Sequence, residues 1–267
     1  MLRFVEKPNL PQGRVRAVIV GEAWKTRISF EKFGITPIFI RNHPYLDAPV
    51  CSHADMQVVH LYKENFLSNP NLFCKGNELY RKDLKNLSDK NCKVPELVRK
   101  ISWQIGKTEL VPEYPKCAAY NVLLLDYLAV FCQKCIDFVL YESLLGLGYT
   151  PVLVRQGFAR CSVCVVSASA VITADRGIAR ALTAHGVEVL EICPGGIALP
   201  GYDTGFLGGA SFLISSHHLA FTGRLDNHPD AERILAFLAR HQVEPVYLTD
   251  EPIFDIGTAV PVLEECS

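Results

Sequence analysis

The sequence lacks any long apolar run and any excess of charge of one sign. Its longest apolar stretches, such as Tyr127–Cys132, are far shorter than the roughly 20 residues that a membrane-spanning helix needs. Its 27 basic and 28 acidic residues nearly cancel, for a formal net charge of -1, and no basic cluster occurs. Proteins that bind nucleic acids or membrane surfaces usually carry a concentrated basic face. The sequence therefore predicts neither nucleic acid nor membrane as a partner.

An export signal is also missing, because the first residues, Met1–Pro8, contain no apolar segment of the kind that a signal peptide carries. The ten cysteines are therefore expected to be free thiols in a reducing compartment. We predict a cytoplasmic location. Apolar residues are abundant, at 49% of the chain against 21% charged residues, which is typical of a compact globular protein.

A repeated order of elements is present, and it is clearest in residues 161–193. The apolar run Val163–Val166 is followed by a turn and by a second apolar run, Val171–Thr173. A helical pattern covers residues 175–185, and Val187–Ile192 predicts a third strand after it. The predicted unit is therefore strand, turn, strand, helix, strand.

The same order recurs along the chain. The predicted units span residues 14–41, 54–112, 119–155, 161–193 and 209–250, and a closing strand lies within 255–264. The first unit is abbreviated, and the second carries a long polar insertion at 69–89. A doubly wound sheet also alternates strands and helices, but it has single strands between helices, whereas tight two-strand turns precede the helix in at least three of these units. The pattern favours one α/β domain over residues 1–267, built from five units.

Two local stretches add to this pattern. Residues Gly201–Ser211 read Gly-Tyr-x-x-Gly-Phe-x-Gly-Gly-Ala-Ser, and Thr222–Arg224 reads Thr-Gly-Arg. With the five strand-strand-helix-strand units, they resemble the pentein superfamily of guanidino-group-modifying enzymes, and most closely an uncharacterised bacterial branch of it. Arginine and agmatine deiminases, dimethylarginine dimethylaminohydrolases and glycine amidinotransferases belong to this superfamily. The resemblance covers residues 14–264 and implies a five-fold pseudosymmetric α/β propeller of ββαβ repeats.

The resemblance also implies where the site lies. In such folds the first strand of each unit begins near the axis, so polar residues at those positions converge on one central pocket for a small-molecule ligand. The polar or glycine residues at the predicted unit starts are His53, Asp55, Asn121, Arg160, Cys161, Gly209 and Asp255. Polar groups at the ends of apolar strands are costly to bury alone, so their cluster predicts a ligand or a mutual network.

Enzymes of this superfamily attack a guanidinium carbon with a cysteine thiolate, while a histidine moves the proton and carboxylates hold the planar cation. By its position, Asp55 matches the substrate-orienting aspartate, and Asn121 stands where another carboxylate is expected. The nucleophile is expected on the last strand near Gly257 or Thr258, but the sequence has no cysteine there. The fourth unit also begins without the expected histidine.

Cys161 is therefore the candidate nucleophile. Arg160 beside it is expected to lower the pKa of its thiol. His53 is the candidate proton shuttle, with Asp55 or Asp255 orienting it. The predicted substrate-binding residues are Asn121, Asp203, Gly209, Arg160 and Asp255. In the ordinary alternative, Cys161 is a buried cysteine that only packs in a strand.

Two C-x-x-C pairs, Cys132/Cys135 and Cys161/Cys164, have the spacing of zinc or redox sites. The second pair runs into an apolar strand, where alternation points the two sulfurs to opposite faces. The first pair precedes a helical stretch, but it lacks the preceding strand and the Trp-Cys-Gly-Pro-like turn of a thioredoxin-like pair. The sequence therefore predicts no metal and no cofactor.

The sequence favours a hydrolase or amidinotransferase of the guanidino-modifying type that acts on a small cationic or amide substrate. The missing cysteine on the last strand favours the alternative, a non-catalytic protein of the same fold that binds a small molecule or another protein. A third hypothesis, a zinc-dependent protein, depends on the C-x-x-C pairs alone.

Overall fold

A computed structural model of the chain describes residues 1–73 and 94–266. Within these ranges the strands are β1 (Leu2–Phe4), β2 (Arg14–Gly21), β3 (Thr36–Ile40), β4 (Val58–Tyr62), β5 (Asn65–Ser68), β6 (Ser102–Ile105), β7 (Leu123–Leu125), β8 (Leu128–Phe131), β9 (Thr150–Leu153), β10 (Val163–Ser167), β11 (Ala170–Thr173), β12 (Glu188–Glu191), β13 (Ser211–Ser215), β14 (His218–Phe221), β15 (Glu244–Tyr247) and β16 (Val260–Glu265).

The helices of the same ranges are short. The α-helices are α1 (Val94–Val98), α2 (Phe138–Gly146), α3 (Ala159–Ser162), α4 (Arg176–Thr183) and α5 (Ala231–Arg240). Single turns of 3-10 helix lie at Glu22–Trp24, Phe30–Phe33, Ala54–Met56, Pro70–Phe73 and Lys116–Ala118. None of the described helices is long and apolar enough to cross a membrane.

The strands form five small sheets, four of which share one topology. In four of them, β4-β5-β6, β7-β8-β9, β10-β11-β12 and β13-β14-β15, the first two strands form an antiparallel hairpin and the third pairs parallel with the second. Antiparallel neighbours need only a tight turn, whereas parallel neighbours need a crossover, and for this reason the helix falls between the second and third strands. The predicted α/β fold of five units is confirmed.

The fifth sheet joins the two ends of the chain. Its order is β1-β16-β2-β3, with β2 parallel to β3 and antiparallel to β16. The closing strand β16 therefore takes the place of the first strand that the abbreviated first unit lacks. The strand β1, which the sequence analysis did not predict, pairs with the outer edge of β16.

The local sequence explains the clearest unit. Asp175 caps α4 by accepting a hydrogen bond from the Ile178 amide at 2.8 Å, and Gly186 follows the helix at a φ of 80°. Ile178 and Leu182, on one face of α4, are fully buried. The strands β10 and β11 are buried on both faces, which accounts for their nearly continuous apolar sequence.

The structure differs from the sequence prediction at two functional positions. Residues Arg160 and Cys161 lie on the single turn of α3 rather than at the start of a strand. Cys132 directly follows β8, so the expectation that no strand precedes the Cys132/Cys135 pair is wrong. Of the insertion at 69–89, residues 74–89 lie outside the described ranges.

Candidate active site

The unit starts bring six polar side chains into one buried group. This central cluster consists of His53, Asp55, Asn121, Arg160, Cys161 and Asp255, each 5% exposed or less. Each member lies on a short segment that enters a first strand: the 3-10 turn before β4, the residues before β7, the turn of α3 before β10, and the segment before β16. The residues are far apart in the sequence, and they meet because the first strands of the units begin at the same place in the fold.

Cys161 lies at the middle of the cluster. Its thiol donates to Asp55 Oδ2 at 2.9 Å, and its Sγ accepts from the Asn121 side-chain amide at 3.0 Å. Burial, followed by the charges of Asp55 and Asp255, raises the pKa of this thiol well above its ordinary value. The lowered pKa of Cys161 expected from the neighbouring Arg160 is therefore not what the structure gives, because burial and the two carboxylates outweigh that charge.

Asn121 connects the cluster through both ends of its amide. Its Oδ1 accepts from the backbone amides of Arg160 and Cys161 at 2.8 and 3.2 Å. Its Nδ2 donates to Cys161 Sγ and to the backbone oxygen of Asp55. A carboxylate cannot donate these hydrogen bonds, so the amide fits this position in place of the charge expected from the superfamily.

The guanidinium of Arg160 makes its hydrogen bonds to groups other than the thiol. It donates to Thr258 Oγ1 at 2.9 Å, to the backbone oxygens of Val163 and Gly208, and to Asn9 Oδ1 at 3.1 Å. Burial lowers the pKa of Arg160, although the nearby Asp55 opposes this effect. Arg160 therefore supplies a buried positive charge and ties α3 to β10 and to the segment before β16.

Asp255 is held by backbone amides, and Gly209 makes room for it. Its Oδ2 accepts from Phe206 N at 2.8 Å and its Oδ1 from Gly257 N at 2.9 Å. A Cβ on Gly209 would lie 2.0 Å from Asp255 Oδ1. Gly209 therefore allows the carboxylate to approach the backbone, a role that only glycine fills at this spacing.

His53 faces Asp255 across the cluster, with 4.0 Å between His53 Nδ1 and Asp255 Oδ1. Gly257, at a φ of 66°, lies so close that a Cβ there would be 2.2 Å from His53 Cβ. The imidazole is thus confined between Gly257 and Asp255. Its Nε2 has no hydrogen-bond partner although it is buried.

Asp55 Oδ1 is a second buried atom without a hydrogen-bond partner. Burial raises the pKa of Asp55, while His53 and the Cys161 thiol partly offset that effect. Unpaired buried polar atoms cost about 1–3 kcal/mol each, so they rarely persist without a functional reason. Both of these atoms belong to the same cluster.

The same residues are the chemical type that binds metal ions. Within residues 1–73 and 94–266, His53, Asp55 and Cys161 form the one group of three whose ligand atoms all lie within 4.8 Å of one another. Imidazole, carboxylate and thiolate are the groups that Zn²⁺ prefers. In this structure the thiol and the carboxylate are hydrogen-bonded to each other.

The cluster is closed in this conformation. A cavity of about 20 Å³, large enough for a single water, is lined in part by Asp55, Arg160 and Asn9. A larger cavity of about 150 Å³ lies on another side, lined in part by Ser162 and Phe206. Ser162 follows Cys161, and the Phe206 amide binds Asp255, so two residues that line this larger cavity adjoin the cluster.

Not every predicted site residue belongs to the cluster. Asp203 is exposed, on the loop that precedes the buried Gly208–Gly209 pair, so the structure does not bring it to the other predicted residues. Thr258 and Asn9 were missed, and both bind Arg160. The superfamily resemblance pointed to the position of Thr258 as the place for a nucleophile, whereas Asn9 precedes the first unit and carried no signal.

Comparisons with known proteins agree with this architecture. A protein-family model described as a family of unknown function, DUF6873, matches residues 19–260. No curated protein matches the sequence. The structure is similar to inosamine-phosphate amidinotransferase from Streptomyces griseus, with a TM-score of 0.50 and 11% identity over 97% of this chain and 97% of that chain.

A second similar structure is a substrate-bound variant of C. jejuni agmatine deiminase, with a TM-score of 0.52 and 8% identity over 98% of this chain and 96% of that chain. Identities this low show a shared fold and nothing about the reaction. The resemblance to the pentein superfamily is confirmed as a resemblance of fold.

Proposed function

Because the chain belongs to the DUF6873 family, whose function is unknown, we propose its activity from its own site: it modifies the amidino group of a small cationic substrate, with Cys161 as nucleophile. The observation that carries the proposal is the convergence of a thiol, an imidazole and a carboxylate, His53, Asp55 and Cys161, within 4.8 Å of one another. Nucleophilic catalysis by cysteine uses groups of these types, and the Asp55 carboxylate is already hydrogen-bonded to the thiol at 2.9 Å.

The charges of the cluster favour a cationic ligand. Asp55 and Asp255 are both buried, and Arg160 is the one guanidinium among the cluster residues. The raised pKa of Asp55 reflects burial first, with the charge of Asp255 adding to it. A bound amidinium or guanidinium would neutralise this excess, and its paired N–H groups match a carboxylate with a free oxygen, as Asp55 has at Oδ1.

The same cation would also activate the nucleophile. The pKa of Cys161 is raised by burial and by two negative charges, so a positive charge beside it lowers that pKa. The thiol then becomes a thiolate only when substrate is bound. The site therefore holds no reactive thiolate while substrate is absent.

The proposed reaction has two covalent steps. The Cys161 thiol gives its proton to His53, directly or through Asp55, and Sγ bonds to the central amidino carbon. The C–N bond to the leaving amine breaks, and that amine takes the proton from His53. Water or a second amine then adds to the same carbon and gives a proton to His53, the C–S bond breaks, and His53 passes that proton to the sulfur. Water gives hydrolysis, whereas an amine gives amidino transfer.

Substrate must enter a site that is closed in this structure. The cavity of about 150 Å³ beside Phe206 has the size for a small amidine, and Phe206 binds Asp255 through its backbone amide. We therefore expect substrate to reach Cys161 from this cavity by displacing the segment around Phe206. Closure over the bound substrate would then exclude water other than the reacting one.

The activity test uses a panel of small guanidino and amidino compounds, each with and without an amine acceptor. Released ammonia and transferred amidino groups are measured, and intact-protein mass spectrometry looks for an adduct. We expect turnover of at least one compound, with a loss of about a thousandfold or more in Cys161→Ser. Cys164→Ser is the matched control, because Cys164 is buried but lies outside the cluster. Turnover that persists in Cys161→Ser would refute the proposal.

A second function, binding without turnover, is favoured by one observation. The resting thiol of Cys161 has a raised pKa and is enclosed, which is also the state of an inert buried cysteine. A ligand that binds the folded state raises the melting temperature whether or not it reacts. A thermal shift that is equal in wild type and Cys161→Ser, with no product and no adduct, would support binding alone.

A further inference from the structure

The Cys132/Cys135 pair lies on a turn, well apart from Cys161. The Cys135 amide donates to the Cys132 carbonyl at 3.0 Å, which closes a four-residue turn between β8 and α2. Such a turn brings its end Cα atoms within about 7 Å of each other. Disulfides join Cα atoms about 4.4–6.8 Å apart, so the backbone is already arranged for a disulfide between these residues.

Both sulfurs contact one phenolic oxygen. The Cys135 thiol lies 3.2 Å from the Tyr114 hydroxyl oxygen and donates to it, and Cys132 Sγ lies 3.6 Å from the same oxygen. Both cysteines are 6% exposed, whereas Tyr114 is 54% exposed. The two thiols therefore face the same side chain, which is itself partly exposed to solvent.

The two thiols differ in acidity. Burial raises the pKa of Cys132, but hydrogen bonds from the Tyr114 hydroxyl, the Cys135 thiol and backbone amides outweigh it, so the pKa of Cys132 is lowered. Burial is also the largest effect at Cys135, and it raises the pKa of this thiol to about 11. A dithiol with one more acidic and one less acidic member has an attacking sulfur and a resolving sulfur.

We propose that Cys132 and Cys135 form a redox-active dithiol that exchanges with small-molecule disulfides such as glutathione disulfide. The Cys132 thiolate attacks one sulfur of the disulfide, an S–S bond forms, and one glutathione thiolate leaves and takes a proton. The Cys135 thiol then loses its proton and attacks Cys132 Sγ, which releases the second glutathione. The protein loses two electrons and two protons, and the disulfide becomes two thiols.

The first test uses the wild-type protein and therefore needs no variant to fold. The protein is equilibrated in buffers of varied glutathione to glutathione disulfide ratio, and free thiols are mapped by differential alkylation and mass spectrometry. We expect Cys132 and Cys135 to lose their free thiols together, in one two-electron transition, and to be recovered as a single disulfide. If the two thiols stay free under conditions that oxidise other cysteines, the proposal is wrong.

Variants separate the two roles. Cys135→Ser should accumulate one glutathione on Cys132, because nothing resolves the mixed disulfide, whereas Cys132→Ser should accumulate none at Cys135. Cys193→Ser is the control, since Cys193 is an exposed thiol without a paired cysteine in its turn. Loss of the internal disulfide in the control would overturn the assignment.

Tyr114→Phe distinguishes a tuned dithiol from two cysteines that are merely close. It retains the ring and removes the hydroxyl that both sulfurs contact. We expect about a fivefold slower glutathionylation of Cys132 near neutral pH in the Cys135→Ser background, and a shift of its pH profile to higher pH. An unchanged pH profile would contradict the attacking role of Cys132, as would stoichiometric zinc that both cysteine variants lose.

Discussion

Asp55 illustrates how a single residue of the central cluster opposes stability. Its carboxylate is buried, one of its oxygens has no partner, and its nearest charged neighbours include a second carboxylate. A group placed for folding alone would be neutral or fully hydrogen-bonded at such a position. This loss of stability is explained if the carboxylate serves to bind a cationic ligand.

Asp55→Asn is therefore expected to stabilise the protein at neutral pH. The folded-state pKa of Asp55 is raised, so its favourable contribution is present below about pH 4 and is lost as pH rises through that raised value. The variant should have a free energy of unfolding higher by on the order of 1–3 kcal/mol at pH 7, together with weaker binding of cationic ligands. Urea denaturation from pH 4 to 8 measures this difference.

Asp203→Asn is the matched control for that measurement, because Asp203 is exposed. Its effect on the free energy of unfolding should stay within about 0.5 kcal/mol at each pH. A wild-type protein that is more stable than Asp55→Asn at pH 7 would show that Asp55 is satisfied in the folded state.

Because His60 is buried, we expect the free energy of unfolding to fall in acid. Its ring stacks on Phe66 at 4.4 Å, and its Nε2 bonds the Lys63 carbonyl. Burial lowers the pKa of His60 from 6.5 to about 4. The unfolded state therefore binds more protons between these values, so stability is complete above about pH 6.5 and about 3 kcal/mol is lost as pH falls to 4.

The variant His60→Phe should flatten this acid slope of the free energy of unfolding, since it keeps the stacked ring and removes the titrating group. His185→Phe should retain the wild-type slope, because His185 is exposed. Equal slopes in all three proteins would assign the acid sensitivity to other groups.

At the scale of the elements, the residues that cap the helices make different numbers of hydrogen bonds. Asp137 and Asp175 both cap a helix, by accepting from Leu140 N and Ile178 N respectively. Asp137 also accepts from the amides of Lys107 and Thr108, at 2.9 and 2.7 Å. Asp137 thus fastens the segment that follows β6 to the start of α2.

We therefore expect substitution by alanine to lower the free energy of unfolding more at Asp137 than at Asp175. Asp137→Ala should lower the free energy of unfolding by about 2–4 kcal/mol, because a capped helix and a loop both lose hydrogen bonds. Asp175→Ala should cost about 1 kcal/mol, as a cap alone does. Denaturant unfolding of both variants gives the comparison, and equal costs would mean that the loop contacts contribute nothing.

At the scale of the whole molecule, one sheet depends on both ends of the chain. The strand β16 lies between β1 and β2, and residues 260–264 are buried. The buried Glu264 accepts from the amides of Gln12 and Gly13 and pairs with Arg3 at 2.9 Å. The first unit thus lacks a hairpin of its own, and its β2 has an antiparallel neighbour only because β16 pairs with it.

Removal of residues 260–267 should therefore abolish cooperative folding rather than fray one edge. Near-ultraviolet circular dichroism and the urea transition measure this loss. The control removes residues 266–267 alone, which leaves the pairing of β16 with β1 and β2 intact. A sigmoidal unfolding transition in the longer deletion would show that the other four sheets are stable by themselves.

The sequence by itself determined the repeat, the hairpin before each helix and the position of most strands, because these depend on residues within one turn or one strand of each other. It also pointed to the segments before β4, β7, β10 and β16, whose side chains meet, since the pentein resemblance supplied the topology. The turn of α3 was not readable, because Val163–Ser167 makes the preceding residues look like the same strand.

Only the tertiary structure decided the state of those side chains. Sequence neighbours suggested that Arg160 would acidify Cys161, whereas burial and the distant Asp55 and Asp255 raise its pKa. Asn121 proved to be a donor to the thiol, and Asp203 stayed at the surface. The physical reason is that burial and electrostatic partners come from residues far apart in the chain, and no local pattern encodes their distance.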